Sequence, residues 1–292
     1  MKKLLRYASL LSLAMGGLGM LLMVWLRANG PDARGLYPAR HPAWTMLLLL
    51  TLAMPVVFWM LSRSAGNNNT YRGNFPASWL AAVGYALAGS SLVVTGFAAL
   101  DSGEPLGILA GCAGILGGIL LFAGTYTRLT GRTLPISLHG LPCVFLALDL
   151  FYMGQTLGAE PEMVRYLFPF LAILSAIGAC YWLWSFDVEM GNRSKCLFWC
   201  LAAGYCNLVA AIGSENWLLH LGLALWTLTA LPRLQSRQRM RPVDAPTTED
   251  TLPTPMPVEN VVADVVSHTP PVADVDAILE EILKEFGSNS PQ

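Results

Sequence analysis

Eight stretches of predominantly apolar residues, each about long enough to cross a bilayer, fill the chain from Leu4 to Leu231, and nearly all charges fall between them. A hydrocarbon core of about 30 Å needs about 20 helical residues to span it. Inside that core every backbone N–H and C=O must be satisfied within the chain. The sequence therefore predicts an all-α polytopic membrane protein, with helices near 4–26, 43–62, 78–100, 106–126, 138–157, 164–185, 195–213 and 216–232. Trp25, Trp44, Trp59, Trp79, Tyr126, Tyr166, Trp184 and Trp217 fall near the ends, where an interfacial aromatic belt belongs.

Only 13% of residues are charged and mean hydropathy is +0.50, whereas an ordinary globular domain is about a quarter charged. The net charge of -1 conceals a segregation, because residues 1–241 carry 17 Lys and Arg against nine acids, and residues 242–292 carry ten acids and one base, Lys284. The chain thus reads as an eight-helix membrane domain over 1–232, then a basic juxtamembrane segment and Pro-rich disordered linker over 233–273. An acidic amphipathic helix follows over 274–287, and a disordered end over 288–292.

Basic residues on alternate sides set the expected orientation. Lys2, Lys3, Arg6, Arg63, Arg72, Arg128, Arg132, Arg193, Lys195, Arg233, Arg237, Arg239 and Arg241 share one side, thirteen in all, against Arg27, Arg34, Arg40 and Arg165 on the other. Both termini are expected in the cytoplasm, and the first apolar run reads as a retained signal anchor. Short loops and this asymmetry suit the plasma membrane of a bacterium. The sequons at Asn68 and Asn192 fall in the cytoplasmic loops and should stay unmodified.

Glycine patterns the helices. Gly107, Gly111, Gly114 and Gly118 form small-xxx-small steps in the fourth span, a spacing that admits a neighbouring backbone at close range; this helix is expected to be central. Asp149 stands near the middle of the fifth span, where a charged side chain costs roughly 2.5–3.5 kcal/mol on insertion scales. It should face the bundle interior. Tyr152 follows one turn later, and Asn207 and His220 reach comparable depths on other helices, so Asp149, Tyr152, Asn207 and His220 form the candidate intramembrane polar site. They serve either as hydrogen-bonding glue between helices or as a proton-linked or substrate site of a transporter.

Catalytic signatures are missing by residue: no H-E-x-x-H or P-loop occurs, and Gly213-Ser214 lacks the second glycine of a nucleophile elbow. No cofactor, metal or nucleic acid is expected. Cys112, Cys143, Cys180, Cys196, Cys200 and Cys206 all lie in or at the edge of apolar segments and read as packing residues. The Pro- and Gly-rich loop from Gly30 to Pro42 reads as a rigid turn on the outer face.

The tail carries a second pattern. Seven prolines between Pro242 and Pro271 predict an extended linker. Beyond it Val275, Ile278, Leu279, Ile282, Leu283 and Phe286 recur at helical spacing as one apolar stripe. The opposite face carries Asp276, Glu280, Glu281 and Glu285, which anionic lipid would repel. A cytosolic protein groove, or a second copy of the helix, is the better cover. The expected function is a membrane scaffold or adaptor that docks a cytosolic partner through its C-terminal helix, with a small-molecule or proton-linked transporter as the alternative and an intramembrane enzyme behind both. Homo-oligomerisation is compatible with either.

Overall fold

The structure, a computed structural model, describes residues 5, 7–29, 41–65, 74–75, 77–131, 138–157, 163–188 and 190–235, with side chains omitted at 156–157, 163–165 and 232–235. The described residues form eight α-helices and no strand: α1 (Ala8–Asn29), α2 (Pro42–Arg63), α3 (Trp79–Leu100), α4 (Pro105–Thr130), α5 (Gly140–Leu157), α6 (Met163–Asp187), α7 (Arg193–Ala211) and α8 (Trp217–Gln235). Each lies within a few residues of its expected position. Six are long and apolar enough to cross a membrane, while the apolar parts of α5 and α8, Gly140–Gln155 and Trp217–Leu231, are shorter. The chain divides into a unit Met1–Gln238 and a unit Arg239–Gln292. The proposed recognition helix over 274–287 and its linker lie outside the described residues.

Local chemistry explains where helices begin and stop. Ser78 caps α3, its Oγ accepting from the Ala81 N–H, and Asn192 caps α7, its Oδ1 accepting from the Lys195 N–H at 3.1 Å. The sequon asparagine therefore has an intramolecular use. Pro105 opens α4, where a missing N–H is harmless. Gly131 closes that helix in the left-handed region, φ 69°, with its N–H on the Thr127 carbonyl. Pro142 sits in the first turn of α5, so it starts that helix and does not interrupt it. Pro55 and Pro169 lie inside α2 and α6.

Large apolar side chains cover the outside. Leu21, Leu52, Phe97, Ile119 and Phe151 are among many that are exposed, a surface that suits lipid and far exceeds what a water-soluble monomer presents. Trp25, Trp59, Trp79, Tyr126, Trp184 and Trp217 are exposed too, as a belt requires. Trp44 instead packs edge-on against Phe168 at 5.9 Å.

The central helix is α7, not the glycine-rich α4. α7 packs against α1, α2, α6 and α8, whereas α4 touches chiefly α3 and α5. Polar ties hold α7 in place. Ser12 of α1 donates to the Leu201 carbonyl at 2.8 Å, and Ser194 donates to the Ser62 carbonyl at 2.8 Å. Arg27 donates to the Gly213 carbonyl at 2.7 Å, just beyond the C-terminal end of α7 where a cation is favoured. Around the other side, α3, α4, α5, α6 and α8 pack in a closed circuit, each against the next and α8 back against α3.

The glycines of α4 divide between two neighbours. A Cβ on Gly111 would stand 2.7 Å from the Gly96 carbonyl and one on Gly96 2.9 Å from the Gly111 carbonyl, and Gly118 and Gly89 repeat this reciprocal approach at 2.7 and 2.9 Å. Antiparallel α3 and α4 thus meet backbone to backbone at two points seven residues apart. Gly117 faces Pro142 of α5 instead, and Gly114 lies between the Phe145 ring and Gly96. One face of regular steps would have given a single partner.

Because a backbone carbonyl and the β-branched Val93 side chain both bound Gly118, Gly118→Leu should lower stability in detergent by about 1–3 kcal/mol or prevent assembly. Gly17, whose Cβ position is open, should tolerate alanine with an unchanged thermal midpoint. Equal midpoints for both variants would refute the close approach.

Candidate functional site

Four ionisable or phenolic side chains meet at one end of the five-helix circuit. Arg128 comes from the last turn of α4, Tyr85 from the second turn of α3, His139 from the residue before α5, and Asp187 from the last residue of α6. The antiparallel run of these helices brings the four ends together. Arg128 Nη2 donates to the Tyr85 oxygen at 2.8 Å, that hydroxyl lies 2.7 Å from His139 Nε2, and His139 Nδ1 lies 2.7 Å from Asp187 Oδ2. His139 is fully buried, Arg128 is 2% exposed, and the Asp187 side chain is 7% exposed.

The surroundings hold each member in place. The Leu138 N–H donates to the same Asp187 oxygen at 3.1 Å, and the Cys180 thiol donates to the His139 carbonyl at 3.2 Å. Trp226 of α8 stacks on the His139 ring, with centroids 5.9 Å apart and planes 15° apart, and meets the Tyr85 ring edge-on. The Arg128 guanidinium lies 4.1 Å from the Phe75 ring centroid and 5.0 Å from that of Tyr85, aromatic faces that partly replace the water it has lost. The Ser78 N–H donates to the Arg128 carbonyl at 2.7 Å, tying the start of α3 to the end of α4. Gly124 leaves room for Tyr85: a Cβ there would stand 2.5 Å from its ring.

A second polar group lies on α7 and α8. His220 Nδ1 donates to Asn207 Oδ1 at 2.9 Å, and Asn207 Nδ2 donates to the carbonyls of Ala172 at 3.1 Å and Ala203 at 2.9 Å. Both side chains are buried. Of the expected site residues, then, the structure joins Asn207 and His220. Asp149 stands on α5 with its Oδ2 buried and without a hydrogen-bond partner among the described residues, and Tyr152 is half-buried one turn on. Oδ2 therefore bonds neither Tyr152 on its own helix nor Asn207 on α7. Val275, Ile278, Leu279, Ile282, Leu283 and Phe286 lie outside the described residues, as does most of the outer loop after α1. His41, at the end of that loop, caps α2 and accepts from the Ala43 N–H at 3.3 Å.

Chemically, the His139 array contains an acid–base pair, an orienting carboxylate and a cation, and all of it is enclosed. Cys196 and Cys200 place their sulfurs 3.9 Å apart in the buried core. Among the described residues no group of three His, Cys, Asp or Glu is placed to hold a metal ion. Sequence reasoning counted Arg128 as a loop charge and passed over Tyr85, His139 and Asp187. A usable signal existed: each is a polar residue within two turns of a span's end, and alternating topology places those four ends on one side. Compared with family models, with curated proteins and with solved structures, the chain matches none.

These arrangements separate two kinds of buried polar group. Asn207→Leu leaves the His220 ring and two carbonyls without their donor or acceptor and should cost about 1–3 kcal/mol. Asp149→Leu removes a carboxylate whose Oδ2 makes no bond and should leave stability in detergent unchanged or higher. Thermal melting of the two variants beside the wild type decides; a larger loss for Asp149→Leu would show that the carboxylate ties helices after all.

Proposed function

We propose that the protein is a membrane scaffold or adaptor. In this reading eight helices cross a bacterial plasma membrane, both termini are cytoplasmic, and the segment 274–287 docks a cytosolic protein. The observation that carries it is that the membrane unit spends its polar groups on itself: the Arg128–Tyr85–His139–Asp187 array ties four helix ends, and Asn207, Ser12, Ser194 and Arg27 tie α7 to its neighbours or brace its end. Such a unit is a firm anchor. Recognition then falls to the acidic amphipathic segment.

Eight crossings are supported by length and charge. α5 has 18 residues and α8 has 19, or about 27–29 Å of helix, close to the hydrocarbon thickness. Arg128 and Arg193 are buried and so are not free loop charges; setting them aside leaves eleven basic residues against four, still a strong inward bias.

A transporter is the second reading, favoured by the one buried carboxylate oxygen of Asp149 that has no partner among the described residues. A proton or a bound solute would satisfy it. In that case Asp149→Asn should fold normally and lose pH-dependent uptake.

Two measurements test the adaptor. Thiols placed at Ala33, Ser102, Ala159 and Ser214 should label from outside intact cells, and those at Gly66 or Gly131 should not. Replacing Ile278, Leu279, Ile282 and Phe286 with Ser should abolish recovery of a specific partner in pull-downs while membrane insertion stays normal. Identical partners recovered with both proteins would end the adaptor reading in favour of transport.

A further inference from the structure

The His139 array has a direction. Arg128 carries only donors and an ionised Asp187 only acceptors, so both ends of the chain are fixed. With His139 neutral, a single arrangement satisfies every link: Arg128 donates to the Tyr85 oxygen, the Tyr85 hydroxyl donates to His139 Nε2, and His139 Nδ1–H donates to Asp187. Nε2 is then a basic lone pair enclosed between a movable hydroxyl and an indole face. We propose that His139 Nε2 is a proton-binding site, and that Tyr85 of α3 and Trp226 of α8 register whether the proton is bound.

Uptake changes one bond's polarity. A proton from solution joins Nε2, the Tyr85 hydroxyl turns its hydrogen away, and Nε2–H donates to the Tyr85 oxygen, which still accepts from Arg128. The Arg128–Tyr85 and His139–Asp187 links keep their donors and acceptors, and the Tyr85 O–H gives up Nε2 as its acceptor. Before uptake the charges of Arg128 and Asp187 cancel; afterwards the array carries one net positive charge. Asp187 at 2.7 Å and the Trp226 face at 5.9 Å are placed to hold the imidazolium. The titratable and charged groups facing His139 among the described residues are Tyr85 on α3, Arg128 on α4, Cys143 on α5, and Cys180 and Asp187 on α6, with Cys196 of α7 beside Arg128. Among the described side chains of α8, the Trp226 ring is the group recorded against His139.

The site is independent of what the tail binds. Yet α8 is the helix that leads in sequence toward residues 239–292, so proton occupancy acts on the element that precedes the tail.

Trp226 is the natural reporter, because an imidazolium stacked on an indole quenches its emission. The chain has nine tryptophans, so the difference in emission between wild type and W226F, measured on the full chain in lipid nanodiscs, isolates this one. That difference should fall on acidification. In an H139Q background it should be flat. In a D187N background, where the carboxylate no longer holds the imidazolium, the fall should move to lower pH by about one unit or more. A flat difference in the wild-type background, or a pH response that survives in folded H139Q, overturns the proposal. Should H139Q fail to fold, the wild-type and D187N profiles decide, and an unmoved D187N profile is equally fatal.

Discussion

A guanidinium taken out of water has to be held by the protein, and the holding of Arg128 organises one whole end of this bundle. Its donors reach Tyr85, its plane faces Phe75, and its carbonyl receives the Ser78 N–H. From Tyr85 the same demand passes to His139 and then to Asp187. Removing any one member would leave a buried polar group unsatisfied, which is dearer than never having built the pair. Five helices are thereby positioned by one chain of hydrogen bonds and the indole stacked on it.

The packing that permits this array is glycine's. α3 and α4 approach backbone to backbone at Gly96–Gly111 and Gly89–Gly118, and the same interface, one turn and a half further along α4, opens at Gly124 to admit the Tyr85 ring. On the other face of α3, Gly84 accommodates the Thr229 side chain of α8, which brings Trp226 to the array. Without hydrophobic solvation to drive helices together in lipid, such close fits and polar ties carry association. Chemistry and packing are therefore the same problem here. The array lies at the end of the interface that these glycines close.

The two polar groups differ in what they ask of the fold. Asn207 and His220 answer each other between adjacent helices α7 and α8, which only five residues separate along the chain, Ile212, Gly213, Ser214, Glu215 and Asn216. The pairing is nearly local. The His139 array joins residues 43 to 54 positions apart, across connections that differ in length and direction. A polar residue in mid-span draws notice in a sequence, as Asp149 did, because its insertion cost is high wherever it points. His139 and Asp187 stand at the ends of spans, where water is an equally good partner, and only the packed structure withholds that water.

Helix positions followed from the sequence alone because each span is a property of its own 20 or so residues: apolar length, aromatic borders, and caps such as Ser78 and Asn192 act within one or two turns. The membrane location and the absence of strands among the described residues follow in the same way. What the tertiary structure decided is everything that depends on rotation of one helix about its axis relative to another. The glycines of α4 read as one stripe and proved to serve two neighbours; α7 became the centre; Arg128 turned inward from the loop side to which its place in the sequence assigns it. Lipid is as apolar as leucine, so burial of apolar surface does not fix those rotations. They are chosen by backbone contact and by hydrogen bonds between residues far apart in the chain, and neither leaves a periodic trace in one sequence.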